Sequence, residues 1–287
     1  MTADWLANLI RYSAPVGLAS LGECIGQRAG VLNIGLEGMM VVSAYFGVTV
    51  SQSTGSAALG VAAGVLAALV VAVLQGWLTL TCRCDQVVAG TATNLLGLGL
   101  TGILYRARYG QTGQLLSVPK VAQFGPGWDV IDLSWITLAV LSAWILSKTQ
   151  WGLALRATGE YPPAVRAAGY QPSRLRWQGA LVSGFFAGLA GAYLSLGIAG
   201  SFAENMSAGR GFVALAIVTF GRWNPLGTLF ASLLIGYADS LQFELQAKGT
   251  GLPPQLFIAL PYIVSLAVLV LSSKGSTSPA ALGQNEE

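Results

Sequence analysis

Apolar runs of bilayer length recur along this chain and leave it few ways to fold. Ser56 to Leu80, Gln86 to Leu104, Gln178 to Ala199 and Leu226 to Leu245 each approach or pass the ~20 residues that a helix needs to cross a hydrocarbon core. Only 9% of the residues are charged and 54% are hydrophobic, whereas soluble domains carry about 25% charged residues. The expected fold is an all-α polytopic membrane protein. Thirty-seven glycines suit helices packed closely through small residues, since apolar side chains gain little from one another in lipid. The net charge of +3 sits at span ends and not in one patch, so it speaks of topology and not of nucleic acid.

Further segments complete the order. Leu6 to Ile25 is apolar but interrupted by Arg11, Pro15 and Glu23, and Met39 to Val50 follows a glycine-rich stretch. Ser134 to Ser147 and Gln255 to Leu271 are two more, while Gly211 to Gly221 is too short to cross alone. The expected total is eight to nine membrane segments, some short or discontinuous. Residues 105–133, with Gly110, Gly113, Pro119 and Gly125-Pro126-Gly127, read as a long loop. The polar tail 274–287 reads as disordered, leaving 1–273 as one membrane domain. Met1-Thr2-Ala3-Asp4 lacks a positive stretch, so no cleaved signal peptide is expected.

Residues 148–177 hold five of the fifteen basic residues, Lys148, Arg156, Arg166, Arg174 and Arg176, against Glu160 alone. Such an excess beside spans marks a cytoplasmic connection. Alternation from it puts 105–133 outside and places the Arg28 region, Cys82–Asp85, Arg222 and the C-terminus inside. Within the connection, Pro162 and Pro163 open a short helix that Ala164-Val165-Arg166-Ala167-Ala168 continues and Gly169 stops. An exposed helix with a small-residue face, held between two spans, is a shape for another protein to grip.

Two stretches read as discontinuous helices, Gly26–Gly38 and Ala208–Trp223. Each sets an arginine beside glycine, in Arg28-Ala29-Gly30 and Arg210-Gly211. The backbone dipoles exposed at such breaks are tolerated in a membrane only where they line a cavity or are buried in protein. Asn33 and Glu37 share a face if Asn33 opens the second helix. Two readings stand: Asn33 caps a helix and Arg28–Glu37 is a fixed ion pair, or Asn33 and Glu37 meet a solute. Asn94, a lone amide in an apolar span, either bonds a neighbouring helix or lines the route. Asp239 and Glu244 are expected near the interface, and Trp5, Trp128, Trp135, Trp151, Trp177 and Trp223 as anchors at segment ends. There is no histidine, hence no His-based relay, triad or zinc site, and no metal or cofactor is expected of Cys82 and Cys84. The phosphate-cradling pattern G-x-x-x-x-G-K-[ST] is missing too.

Three blocks resemble the permease subunits of bacterial ABC importers for simple sugars, nucleosides and branched-chain amino acids. The first is Arg28-Ala-Gly30-Val-Leu-Asn33-Ile-Gly35-Leu-Glu37-Gly38. The second runs from Gly152 through Arg156, Gly159 and Glu160 to Ala164–Gly169, followed by the glycine-rich Gly184, Gly188 and Gly191. The third is Gly209-Arg210-Gly211 to Pro225-Leu-Gly227. The chain is most similar to the nucleoside-importing subgroup served by Bmp-type lipoproteins, in which two unlike permeases pair. Tyr161-Pro162-Pro163 departs from the usual Asn-Pro, and Gln27 stands where Glu is common; tyrosine cannot cap a helix as asparagine does.

The resemblance implies a bacterial inner-membrane permease, not an enzyme, importing a small polar solute by alternating access. The solute would be a nucleoside, or else a simple sugar such as a pentose. Its partners would be a second, non-identical permease, a cytoplasmic ABC ATPase and an external substrate-binding lipoprotein. The ATPase would grip Arg156, Gly159, Glu160, Pro163, Ala164, Arg166, Ala167, Ala168 and Gly169. The rival from another class is a self-contained transporter driven by an ion gradient.

Overall fold

A computed structural model describes residues 2–110, 118–121, 123–124, 128–247, 253–272 and 277–284. Its helices are α1 (Thr2–Arg28), α2 (Leu36–Thr54), α3 (Ala57–Gly76), α4 (Gln86–Tyr109), α5 (Val130–Lys148), α6 (Gln150–Glu160), α7 (Pro162–Ala167), α8 (Pro172–Ala192), α9 (Arg210–Phe220), α10 (Pro225–Ala247), α11 (Pro254–Ile258) and α12 (Leu260–Ser272). π-Helical turns prolong α3 over Trp77–Thr81 and α8 over Tyr193–Ala199. Four helical stretches, Ala57–Thr81, Gln86–Tyr109, Val130–Lys148 and Pro172–Ala199, are long and apolar enough to cross a membrane, so the chain is a multi-pass helical membrane protein. The sole strands among the described residues are a two-residue antiparallel ladder, Gln123–Phe124 with Trp128–Asp129.

α1, α2 and α8 occupy the centre. α1 packs on α8, α9 and α10, and α2 packs on α3, α4 and α8. Small residues let these axes close up. A methyl group on Gly97 of α4 would stand 2.7 Å from the Cα of Gly38 on α2. On α8, Gly184, Gly188 and Gly191 lie against Ala72, Val65 and Met40, which gives the glycine-rich block a packing role. The outer helices leave Leu66, Val70, Leu95, Ile103 and Leu266 exposed.

One end of the bundle collects the C-terminal ends of α1, α5 and α9, the N-terminal ends of α4, α8 and α10, and α6–α7. The contacts that tie it together include Arg28 to the Trp223 carbonyl and Leu32 to Gln86. At the opposite end Arg106 meets Glu204, Tyr109 meets Gln52, and the Val118 amide meets the Gly200 carbonyl.

Five expectations need correction. The connection 148–177 is largely helical: the Thr149 hydroxyl caps α6 by accepting the Gly152 amide at 3.0 Å, and the helix buries Ala154, Leu155 and Thr158. Its charges had concealed that apolar face, and α8 begins at Pro172, ahead of the expected Gln178. The loop 105–133 is shorter at both ends, because α4 runs to Tyr109 and α5 starts at Val130; Gly113, Gly125, Pro126 and Gly127 lie outside the described residues. Residues 277–284 of the tail expected to be disordered are held in place. The Ala281 amide bonds the Gly159 carbonyl at 2.8 Å, Gly283 bonds Gly30, and Arg176 donates to the Gln284 carbonyl. Residues 274–276 and 285–287 lie outside the described residues. Finally, Trp135 is fully buried against Gly17 instead of anchoring an interface, and Asp239 is buried.

Candidate functional site

The two breaks found separately in the sequence meet in space. Glu37, in the first turn of α2, reaches the start of α9. One carboxylate oxygen accepts from the Ser207 hydroxyl and the Gly209 amide (2.7 Å), and the other accepts the Gly211 amide at 2.7 Å. A helix start leaves such amides unpaired and carries partial positive charge, so a carboxylate is the natural group to close it. Local geometry requires small residues here. Gly209 has φ +82°, and a methyl on Gly211 would come 2.6 Å from the Glu37 nitrogen. With only 11 residues, α9 covers about 17 Å, roughly half the hydrocarbon thickness.

Arg28 is elsewhere. Its Nε donates to the Trp223 carbonyl at 2.7 Å, and its guanidinium stands 3.7 Å from Glu160. The expected Arg28–Glu37 pair is thus replaced by two separate linkages, one at each end of α9.

The break between α1 and α2 is held by side chains from three helices. Asn94 of α4 uses both halves of its amide: Nδ2 donates to the Ile34 carbonyl and Oδ1 accepts the Gly38 amide, each at 2.8 Å. Glu23 of α1 accepts from the Asn33 amide, the Gln27 side chain and the Ser183 hydroxyl. Asn33 donates its side-chain amide to Ser183 at 2.9 Å. Glu23, Ser183 and Gln86 were not singled out in the sequence, though an acid inside an apolar span was a usable signal for Glu23. Asn33 Oδ1 and Gln75 Oε1 find no donor among the described residues, and both residues line a small cavity with Met39 and Thr79.

The segment 156–169 makes a second locus at the Arg28 end. Gly159 lies directly against the backbone of Arg28 and Gly30. Glu160 faces Arg28 and the Ala280 amide. α7 buries only Val165, against Ala154 and Leu175, and exposes Pro163, Ala164, Arg166, Ala167 and Ala168, with Gly169 and Tyr170 beyond it. Tyr161 makes no side-chain cap, and the sequence explains why none is needed. Pro162 and Pro163 have no amides to satisfy, and the Ala164 amide bonds the Tyr161 carbonyl at 3.1 Å. Gly169, at φ +83°, turns the chain out of the helix. Arg156 is half-buried beside these elements. Pro225 opens α10 directly after the turn that holds Trp223.

Comparison with known proteins gives a consistent answer. The family described as branched-chain amino acid transport system / permease component matches residues 5–273. The nucleoside ABC transporter permease protein NupC of Lactococcus lactis subsp. cremoris is 33% identical, with 98% of this chain and 95% of that one covered. The guanosine ABC transporter permease protein NupQ of Bacillus subtilis is also 33% identical, covering 95% and 92%. A more distant relative, the glucose ABC transporter permease protein TsgB13 of Haloferax volcanii, is 24% identical, covering 80% and 68%. No solved structure matches.

Proposed function

The chain belongs to the family of permease components of branched-chain amino acid transport systems, and from that premise we propose that it is the pore-forming subunit of an ABC importer for nucleosides in the bacterial inner membrane. A cytoplasmic ATPase drives it, an external lipoprotein delivers the solute, and a second, unlike permease completes the route. The nucleoside and guanosine permeases at 33% identity over nearly the whole chain support this substrate class, and the glucose permease keeps a sugar next in line.

The observation that carries the energetic half is the exposed α7. It presents Pro163, Ala164, Ala167 and Ala168 beside a buried Val165, at the end of the bundle that also holds Arg28, Arg156, Arg174 and Arg222. That accumulation of basic residues agrees with a cytoplasmic location. Force applied to α7 passes through Gly159 and Glu160 to the Arg28–Gly30 backbone, and so to the break before α2 and the cap on α9. Asn33 and the cavity beside it lie along this line. Spans α1–α5, α8 and α10 cross, α11 and α12 together make one further crossing, and α9 goes half-way.

The test is ATP-dependent uptake by the reconstituted complex. Ala168→Glu and Gly169→Pro are expected to abolish uptake and ATPase co-purification while leaving membrane insertion intact. Normal transport in both, or labelling of residues 155–170 from the outer face, would remove the coupling role.

A further inference from the structure

A cavity between α1, α9, α10 and α12 carries polar chemistry that no step above uses. Val16, Arg210, Asp239, Gln242, Pro261 and Tyr262 line it, and its volume is about 110 Å³. Its depth follows from helix rise: from Pro225 to Asp239 the axis climbs about 21 Å, and from Arg28 back to Val16 about 18 Å, so the cavity lies roughly two-thirds of the way from the Arg28 end through a ~30 Å core. Asp239 is 8% exposed. Its carboxylate stands 4.0 Å from the Arg210 guanidinium, too far for a hydrogen bond, and makes no hydrogen bond among the described residues. Among the described residues, the hydrogen bonds of the Arg210 guanidinium are long ones to the Met206 and Ser207 carbonyls, at 3.5 and 3.3 Å. The Tyr262 hydroxyl donates to the Ala208 carbonyl at 2.6 Å, which leaves its oxygen free to accept. An ionisable pair at this depth, held apart over a cavity, is poorly explained as packing.

We propose that this cavity is a solute station that recognises a sugar ring through neighbouring hydroxyl groups, a proposal that rests on the importer reading above. A hydroxyl is both donor and acceptor, so one placed in the gap donates to Asp239 and accepts from Arg210 at once. The neighbouring hydroxyl meets the second carboxylate oxygen or the Gln242 amide. Because the two charges offset each other, the site suits a neutral polyol better than an ion, which would meet one like charge at close range.

The test uses the assembled complex in proteoliposomes with Cys82 and Cys84 changed to serine and Val213→Cys as a thiol reporter on the cavity wall. Saturating guanosine or ribose is expected to slow labelling, and 2′,3′-dideoxyguanosine to protect far less. Hydrogen bonds to charged groups are worth about tenfold or more in affinity, so Asp239→Asn is expected to lower uptake per ATP hydrolysed by roughly that factor and to abolish protection while assembly and ATP hydrolysis persist. If Asp239→Asn does not assemble, the comparison of guanosine with its dideoxy analogue on the unaltered cavity still decides. Equal protection by both, or by neither, overturns the proposal. The ATP dependence of uptake is read in the same vesicles, and its absence strikes the importer reading instead of the cavity.

Discussion

The carboxylate of Glu37, one turn into α2, accepts the backbone amide of Gly211 at the start of α9 at 2.7 Å, across 174 positions of sequence. A residue on one broken helix thereby terminates the other. Replacing Glu37 with alanine leaves the Gly209 and Gly211 amides and the Ser207 hydroxyl without this acceptor. Charge-assisted bonds of this kind contribute about 1.5–3 kcal/mol each, so Glu37→Ala is expected to destabilise the protein by roughly that much or more. Glu37→Gln, which keeps the shape and one acceptor, falls between. Arg28→Ala should not reproduce the Glu37→Ala loss at α9, since Arg28 bonds Trp223. Thermal unfolding in detergent, read with hydrogen exchange over residues 207–213, checks the order.

Asn94 gives a second expectation. Asn94→Asp keeps an acceptor for the Gly38 amide but loses the donor to the Ile34 carbonyl, and Asn94→Leu loses both. An unsatisfied buried backbone group costs about 1–3 kcal/mol. The leucine variant should therefore unfold at lower temperature than the aspartate variant, although leucine is the better residue for an apolar span. The reverse order would mean that Asn94 does not hold the break.

How much of this was legible in the sequence follows from the range of each signal. The breaks at Gly26–Gly38 and Ala208–Trp223 and the α7 helix are local patterns of glycine, proline and apolar runs, and they could be read directly. That Glu37 serves α9 could not be read, because the nearest cation in the sequence, Arg28, is a more obvious partner than amides 174 positions away. Asn94 was visible as an isolated amide, but its two backbone partners lie in another helix's break. The α6 helix was missed because Arg156, Gln150 and Glu160 mask its buried Ala154 and Leu155. The small polar residues of the tail read as disorder, yet such residues suit a segment that docks through its backbone groups and the buried Ala281.

That docking leads to a third expectation. Residues 277–284 bridge Gly30, Gly159 and Arg176, three points on the path between α7 and the break before α2. Ala281 is buried there. Deleting residues 277–287 uncovers the Gly30–Gly159 seam and removes four bonds, the Ala280 amide to Glu160 among them, of about 1 kcal/mol each. Membrane insertion is expected to be unaffected, with a lower melting temperature and reduced uptake per ATP hydrolysed. Unchanged coupling in the truncated chain would confine the tail to a covering role.

The segment descending from α8 to α9 is tethered at the end away from α7, and this tether is sensitive to pH. Arg106 Nε and Nη2 donate to the two oxygens of Glu204 at 2.8 and 2.7 Å. Those bonds hold the Glu204 carboxyl below the ordinary carboxylate value of 4.5. A carboxyl with a depressed folded-state value contributes stability above its unfolded value, and that contribution is lost as pH falls through the folded value. Both side chains are exposed, so the effect is small and shrinks with added salt. A fluorophore on Ala203→Cys is expected to report loosening of residues 201–209 as the medium is acidified below about pH 4.5, and to report the loosened state at neutral pH in Glu204→Gln. An acid step that survives in Glu204→Gln would have to be assigned to another group, with Asp129 the first to examine, because burial and the neighbouring Asp132 raise its carboxyl.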